Sequence, residues 1–83
     1  MRALVTGFEP FGGDSVNAAG EAVLRLPQRI TDVDVVTAIL PTSYARALAA
    51  LEEAVRRSRP RIVLAVGQAG DRAALNVERV AIN

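Results

Sequence analysis

The apolar and polar positions of this chain separate into short apolar runs and longer segments with helical spacing. Residues 3–7 and 62–67 are apolar without polar alternation, which predicts buried strands, the later one covered on both faces. Residues 34–39, closed by Pro41, predict another strand. Residues 74–83 alternate between apolar and polar, a pattern typical of a partly exposed strand or hairpin arm.

Two segments between these runs predict helices. Asn17 stands where a helix cap belongs, and Pro27 ends the segment that follows it. A second helix of about 16 residues follows a cap at Thr42 or Ser43 and stops before Pro60. The apolar face of this second helix comprises Tyr44, Ala47, Leu48, Leu51, Ala54 and Val55.

The predicted elements follow one another in the order β-α-β-α-β-β, which indicates an α/β fold with parallel strands and right-handed crossovers. With 83 residues, the chain forms one small domain at most. Its last alternating segment runs to Asn83 with no closing turn or helix after it. That would be an odd place for a domain to end.

Composition excludes several kinds of chemistry from these residues. Cysteine and histidine are both absent, so there is no disulfide, thiolate metal site, cysteine nucleophile or imidazole base. The net charge is +1, and Arg56, Arg57, Arg59 and Arg61 cluster at a predicted helix end without stacking aromatics, which disfavours a nucleic-acid surface. Without a signal peptide or membrane span, the sequence predicts a cytoplasmic protein with no membrane contact, metal or cofactor.

A phosphate loop is one alternative for the segment between the first strand and the first helix. Gly7 and Gly12 have the spacing of such a loop, and the strand–loop–helix context fits. However, Gly13 and Asp14 stand where the lysine and the hydroxyl residue belong, and a carboxylate repels phosphate. Charge therefore disfavours phosphate binding here.

Other candidate residues follow the carboxyl ends of the first and third apolar strands, where open α/β sheets bind ligands. Phe8 and Phe11 could wall a small, flat, uncharged group, or they could simply cover the end of the sheet. Gln68 offers an amide beside glycines, or it belongs to a plain turn. Glu78 lies among apolar residues, and its spacing alone favours the solvent face over a paired, functional position.

Three blocks of sequence carry a family resemblance. Residues 5–13 (VTGFEPFGG), residues 66–70 (VGQAG) with Arg72, and residues 78–83 (ERVAIN) resemble, in this order, the signatures of pyroglutamyl peptidase I, also called pyrrolidone-carboxylate peptidase. The resemblance covers essentially the whole chain. It implies a three-layer α/β/α sandwich with a mostly parallel, twisted sheet, of which residues 1–83 form the amino-terminal part of a single domain.

The resemblance also implies an activity and roles for individual residues. Family members are cysteine omega-peptidases that remove N-terminal pyroglutamate (5-oxoproline) from peptides, and they are often dimers or tetramers. Glu78 matches the glutamate that orients the catalytic histidine, which reverses the solvent-face interpretation. Phe8 and Phe11 match residues that line the pyroglutamyl pocket, and Gln68 matches a position beside the lactam ring. Asn17 matches an asparagine that holds the first loop.

The chain departs from the family pattern in ways that affect these expectations. Ala18 replaces a proline of the first helical turn, and Asp71 replaces a second glycine of the Gln68 loop. The catalytic cysteine and histidine would lie beyond Asn83, so we expect the 83-residue chain alone to be inactive. The alternative is a non-catalytic α/β module that binds a small ligand and keeps the pocket without the catalytic half.

Overall fold

The computed structural model describes residues 1–10 and 17–67, which contain four strands and two helices. The predicted strands and helices in these ranges are confirmed, whereas residues 74–83 lie outside the described residues. In chain order the elements are β1 (Arg2–Phe8), α1 (Ala18–Leu24), β2 (Arg29–Ile30), β3 (Val33–Leu40), α2 (Tyr44–Ser58) and β4 (Ile62–Ala65).

The sheet places β1 between two parallel neighbours. The strand order is β2-β3-β1-β4, and Leu4 of β1 lies opposite Val36 of β3 and Val63 of β4. Parallel strands need a crossover connection, and here α1 and α2 supply it. The predicted α/β fold with a mostly parallel sheet is therefore confirmed.

The short strand β2 is an addition that the apolar pattern did not predict. It pairs antiparallel with the start of β3 through a tight turn at Thr31 and Asp32. Thr31 has a φ of 56°, which is uncommon for a β-branched residue, and the turn lacks the Asn-Gly or Asp-Gly pair that marks such hairpins. The Arg29 side chain spans this turn, with its Nε donating to the Thr31 carbonyl at 3.2 Å and its Nη1 3.3 Å from Asp34 Oδ1.

The two helices cover opposite faces of the sheet. A Cβ atom built on Gly7 would lie 3.0 Å from Gly20 Cα and 3.1 Å from Val23 Cγ2, so this position of β1 faces α1. Leu4 instead borders a cleft beside Ala54 of α2. Because successive strand residues point to opposite faces, these two contacts put α1 and α2 on different sides of β1. The three-layer arrangement is thus confirmed.

The last described strand, β4, is poorly covered. Ile62, Val63 and Leu64 are 49%, 46% and 55% exposed, and within the described part neither helix packs against β4. The prediction that this strand is covered on both faces is wrong for this chain, because both helices pack over β1 and β3 instead. The buried apolar core comprises Leu4, Val5, Ala19, Val23, Leu40 and Ala54.

The long helix α2 begins and ends largely as its sequence predicts. Ser43 is the residue before its first turn, although its hydroxyl makes no capping hydrogen bond. Arg59 ends the helix in a left-handed conformation, with a φ of 47°. Ala54 is buried against the sheet, whereas Tyr44 and Leu48 of the predicted apolar face remain exposed. The apolar face of α2 is therefore wider than the strip that this sheet covers.

Candidate active site at the carboxyl edge of the sheet

The carboxyl ends of β3, β1 and β4 meet along one edge. Beyond β1, the Glu9 N–H donates to the Leu40 carbonyl at 3.0 Å, and the Val66 N–H donates to the Thr6 carbonyl at 2.8 Å. The connection through α1 leads from β1 to β3, on one side of β1 in the sheet. The connection through α2 leads from β3 to β4, on the other side of β1. Open α/β sheets bind ligands where the strand order reverses in this way, which here is between the segments that follow β1 and β4.

Phe8 is the last residue of β1, whereas the apolar run predicted a strand that ends at Gly7. Strand pairing with Leu40 extends β1 by this one residue, and the Phe8 side chain is half-buried. Phe8 borders an open cleft of about 240 Å³ that also includes Ile39 of β3. Because Glu9 and Glu21 lie at the same cleft, it disfavours anions.

Asn17 caps α1, as predicted. Its side chain is 3% exposed, and its Oδ1 accepts a hydrogen bond from the Gly20 N–H at 3.2 Å. Its main-chain carbonyl accepts from the Glu21 N–H at 2.9 Å and so starts the helix. The Nδ2 group is buried and has no hydrogen-bond partner among residues 1–10 and 17–67.

Gly7 and Gly20 let α1 pack directly against the end of β1. The sequence pointed only to Gly7, and only for the spacing of a phosphate loop. A Cβ atom on Gly20 would overlap the carbonyl oxygen of Phe8, and one on Gly7 would press on Gly20. Glycine at both positions therefore lets strand and helix meet backbone to backbone. Gly20 carries no sequence signal of this role, because a single glycine inside a helical pattern is ambiguous.

Thr6 is a second buried polar residue that sequence reasoning missed. It is fully buried in β1 between Ala38 of β3 and Ala65 of β4, and no described residue forms a hydrogen bond with its Oγ1. Threonine is common in strands, so nothing in the sequence distinguishes this hydroxyl from an exposed one.

The predicted arginine cluster lies at the carboxyl end of α2, with Arg56 and Arg57 in its last turn, and Arg2 of β1 contacts the same helix end. The Arg2 guanidinium donates to the Ser58 carbonyl in the last turn of α2, where a cation is favoured by the helix dipole. Arg56 and Arg57 lie 3.1 and 3.8 Å from the carboxylate oxygens of Glu53. These pairs are exposed, so each contributes at most about 0.5 kcal/mol.

Three of the five predicted site residues, Phe11, Gln68 and Glu78, lie outside the described residues, as do Asp71 and the phosphate-loop positions 12–14. Their roles stay predictions. Within residues 1–10 and 17–67, no cluster of three acidic, histidine or cysteine side chains could hold a metal ion. No helix in this part of the chain has the length and apolar character to cross a membrane.

These features define an α/β protein with a mostly parallel sheet, a helix layer on each face and an open cleft at the carboxyl edge of the sheet. A family model for pyroglutamyl peptidases matches residues 1–83. The pyrrolidone-carboxylate peptidase of Thermosipho africanus is 48% identical over 83 residues, covering 100% of this chain and 40% of the relative. The chain belongs to the pyroglutamyl peptidase family.

Solved structures agree with this assignment. The crystal structure of pyroglutamyl peptidase I from Bacillus amyloliquefaciens matches with a TM-score of 0.79 and 42% identity, covering 86% of this chain and 35% of that one. Pyrrolidone carboxyl peptidase from Pyrococcus furiosus matches with a TM-score of 0.84 and 37% identity, covering 89% and 36%. The chain thus spans about 40% of the length of the relatives it matches.

Proposed function

We propose that residues 1–83 are the amino-terminal part of a single peptidase domain that removes N-terminal pyroglutamate from peptides through a cysteine nucleophile. The proposal rests on one observation above all, the meeting of the β1 and β4 carboxyl ends at the reversal of strand order. The end of β1 carries Phe8 and is followed in the sequence by Phe11, and the end of β4 is followed by Gln68.

The pyroglutamyl ring suits the residues assigned to it. The lactam is small, flat and uncharged, so aromatic walls at Phe8 and Phe11 would bury it without a charge to compensate. Its N–H and C=O need polar partners, and Gln68 supplies one beside the ring, through its backbone carbonyl. A site built on these hydrogen bonds rejects proline, which lacks the ring carbonyl, because its polar groups would then be left unpaired.

Glu78 has a positioning role in this proposal. A carboxylate bonded to the imidazole of a histidine fixes its tautomer and stabilises the imidazolium formed when the imidazole takes the proton of the cysteine thiol. The thiolate then attacks the carbonyl carbon of the peptide bond that follows pyroglutamate, and the imidazolium gives its proton to the leaving amine. Water hydrolyses the resulting thioester. The cysteine and the histidine are supplied by residues that this chain does not contain.

The absence of cysteine and histidine from these 83 residues favours one competing function, a module that binds the lactam without cleaving it. Either way, the 83-residue chain by itself should release no β-naphthylamine from pyroglutamyl-β-naphthylamide. Turnover by the purified chain would contradict both interpretations.

A chimera separates the two functions. Residues 1–83 are joined to the remaining length of the Thermosipho africanus relative, in place of its matched 40%. We expect the chimera to hydrolyse pyroglutamyl-β-naphthylamide, and Phe8→Ala to raise its KM about tenfold or more through lost ring burial. Glu78→Gln should lower kcat about 10²-fold or more with little change in KM, because the carboxylate acts through the histidine.

Glu52→Gln is the matched control, because Glu52 is an exposed glutamate on α2, away from the candidate edge. It should leave both constants unchanged. A folded chimera that binds pyroglutamate but turns over no substrate would favour the binding module. Equal kcat values for Glu78→Gln and Glu52→Gln would rule out the role proposed for Glu78.

A further inference from the structure

Gly20 of α1 lies against the backbone of Phe8, the residue assigned to a wall of the pyroglutamyl pocket. A Cβ atom at position 20 would lie 2.4 Å from the Phe8 carbonyl oxygen, and both residues border the same open cleft. Because Cβ contacts below 3.0 Å are essentially absent from proteins, a side chain at position 20 would force a displacement of about 0.6 Å or more. The closeness of α1 to the end of β1 therefore depends on Gly20 having no side chain.

The helix side of this contact is fixed more firmly than the strand end. Ala19 and Val23 of α1 are 5% and 1% exposed, so the helix is packed against the sheet. Its first turn is also capped, because Asn17 Oδ1 accepts a hydrogen bond from the Gly20 N–H at 3.2 Å. Phe8, by contrast, is the half-buried last residue of β1, and among the described strands it pairs with β3 alone. An atom added to Gly20 should therefore displace the Phe8 end of β1.

We propose that Gly20 is a positioning residue for the pyroglutamyl pocket, an inference that rests on the proposed function. By lacking a side chain, Gly20 lets α1 hold Phe8 in its place as a wall for the lactam ring. Binding sites need their members held to within about 0.5 Å, and a misplacement of about 1 Å can cost about 10²-fold in rate. The displacement of about 0.6 Å that a methyl group at position 20 requires exceeds the first limit. Substrate affinity should therefore depend on Gly20, which acts through Phe8.

Gly20→Ala in the chimera tests this role, with pyroglutamyl-β-naphthylamide as the substrate. We expect KM to rise about tenfold or more, because the displaced Phe8 no longer fits the ring. KM is the informative constant, since unfolded molecules lower the maximal rate but leave the KM of the folded ones unchanged. If the added methyl group were accommodated, alanine would instead raise the Tm at an unchanged KM, because alanine is the better helix former.

Val23→Ala is the matched control. It removes atoms from the same contact between α1 and β1, where Val23 is 1% exposed, whereas Gly20→Ala adds one. The cavity should lower the Tm by a few degrees, because the lost packing is only partly recovered by relaxation. KM should stay within about threefold, because no atom is pushed against Phe8.

An unchanged KM for Gly20→Ala in an active chimera would overturn this positioning role and leave the proposed function standing. An equal rise of KM for Val23→Ala would also overturn it, since a loosened α1 would then explain both variants. If Gly20→Ala leaves too little folded chimera to assay, trimethylamine N-oxide raises the folded fraction, and the KM measured there decides in the same way. If the unsubstituted chimera binds pyroglutamate without turnover, the proposed function is refuted, and the Kd for pyroglutamate replaces KM in the same comparison. A folded chimera that neither binds pyroglutamate nor turns over substrate would refute both.

Discussion

At the scale of single residues, two buried polar groups near the candidate edge lack partners in the part of the chain that the structure describes. The Asn17 side-chain oxygen caps α1 while its Nδ2 donor has no partner there, and the same is true of the Thr6 hydroxyl within the sheet. Leaving a buried polar group unpaired costs about 1–3 kcal/mol, so each group makes a measurable difference to the chain.

Two substitutions of Asn17 distinguish the contribution of its capping oxygen from that of its amide donor. Asn17→Ala should lower the free energy of unfolding by about 1 kcal/mol, because α1 loses its capping acceptor. Asn17→Ser keeps an acceptor at this position but no amide donor, so it should retain most of that stability. Urea unfolding followed by circular dichroism measures both, and equal losses for the two variants would show that the Oδ1 cap is not the stabilising contact.

Removal of the Thr6 hydroxyl should stabilise the chain. Thr6→Val keeps the shape of the side chain and eliminates the unpaired Oγ1, so the free energy of unfolding should rise by about 1–2 kcal/mol. Thr37→Val, on an exposed position of β3, is the control and should change it by less than about 0.5 kcal/mol. A loss of stability in Thr6→Val would reveal a partner for this hydroxyl.

At the scale of elements, the contact between β1 and α1 fixes where the chain leaves the sheet at Phe8. The contact is backbone to backbone through Gly7 and Gly20, so it tolerates no additional atoms. The sequence predicted both elements from apolar spacing and the cap. The distance between β1 and α1, however, depends on the contact between these two glycines, which only tertiary packing brings together.

Gly7→Ala should push α1 away from β1. The added Cβ would lie 3.0 Å from Gly20 Cα and 3.1 Å from the Ala19 carbonyl oxygen, and backbone atoms cannot yield as a flexible side chain does. We expect a loss of about 1–3 kcal/mol, seen as a lower Tm. Gly67→Ala, which has open space around the added atom, should not lower the Tm in this way. Equal Tm values for the two variants would mean that α1 sits farther from β1 than described.

At the scale of the whole molecule, many large apolar side chains of the described residues are exposed to solvent. A domain of this length buries only about 60–65% of the surface that its unfolded chain exposes, which leaves a thin margin of stability. The large exposed apolar side chains of the described part lie on both helices as well as on β4, and include Leu24, Tyr44, Leu48 and Leu64.

The isolated 83-residue chain should therefore unfold over a broad temperature range and bind the dye ANS before heating. Both observations would follow from apolar surface that the chain cannot bury by itself. The chimera, which adds the remaining length of the relative as cover for this surface, should show a sharper thermal unfolding transition and less ANS binding. A sharp transition from a monomer of the isolated chain would contradict this expectation.

The sequence by itself determined the fold class, because the spacing of apolar residues sets which segments become strands and helices, and the cap at Asn17 depends only on its neighbours. Three consecutive motifs also identified the family, while the places of Phe11, Gln68 and Glu78 remain predictions. Only the tertiary structure decided the hairpin at Thr31, the fit of Gly7 against Gly20, the burial of Thr6 and the exposure of β4. Each of these depends on what a residue meets across the sheet, and apolar periodicity along the chain carries no information about that neighbour.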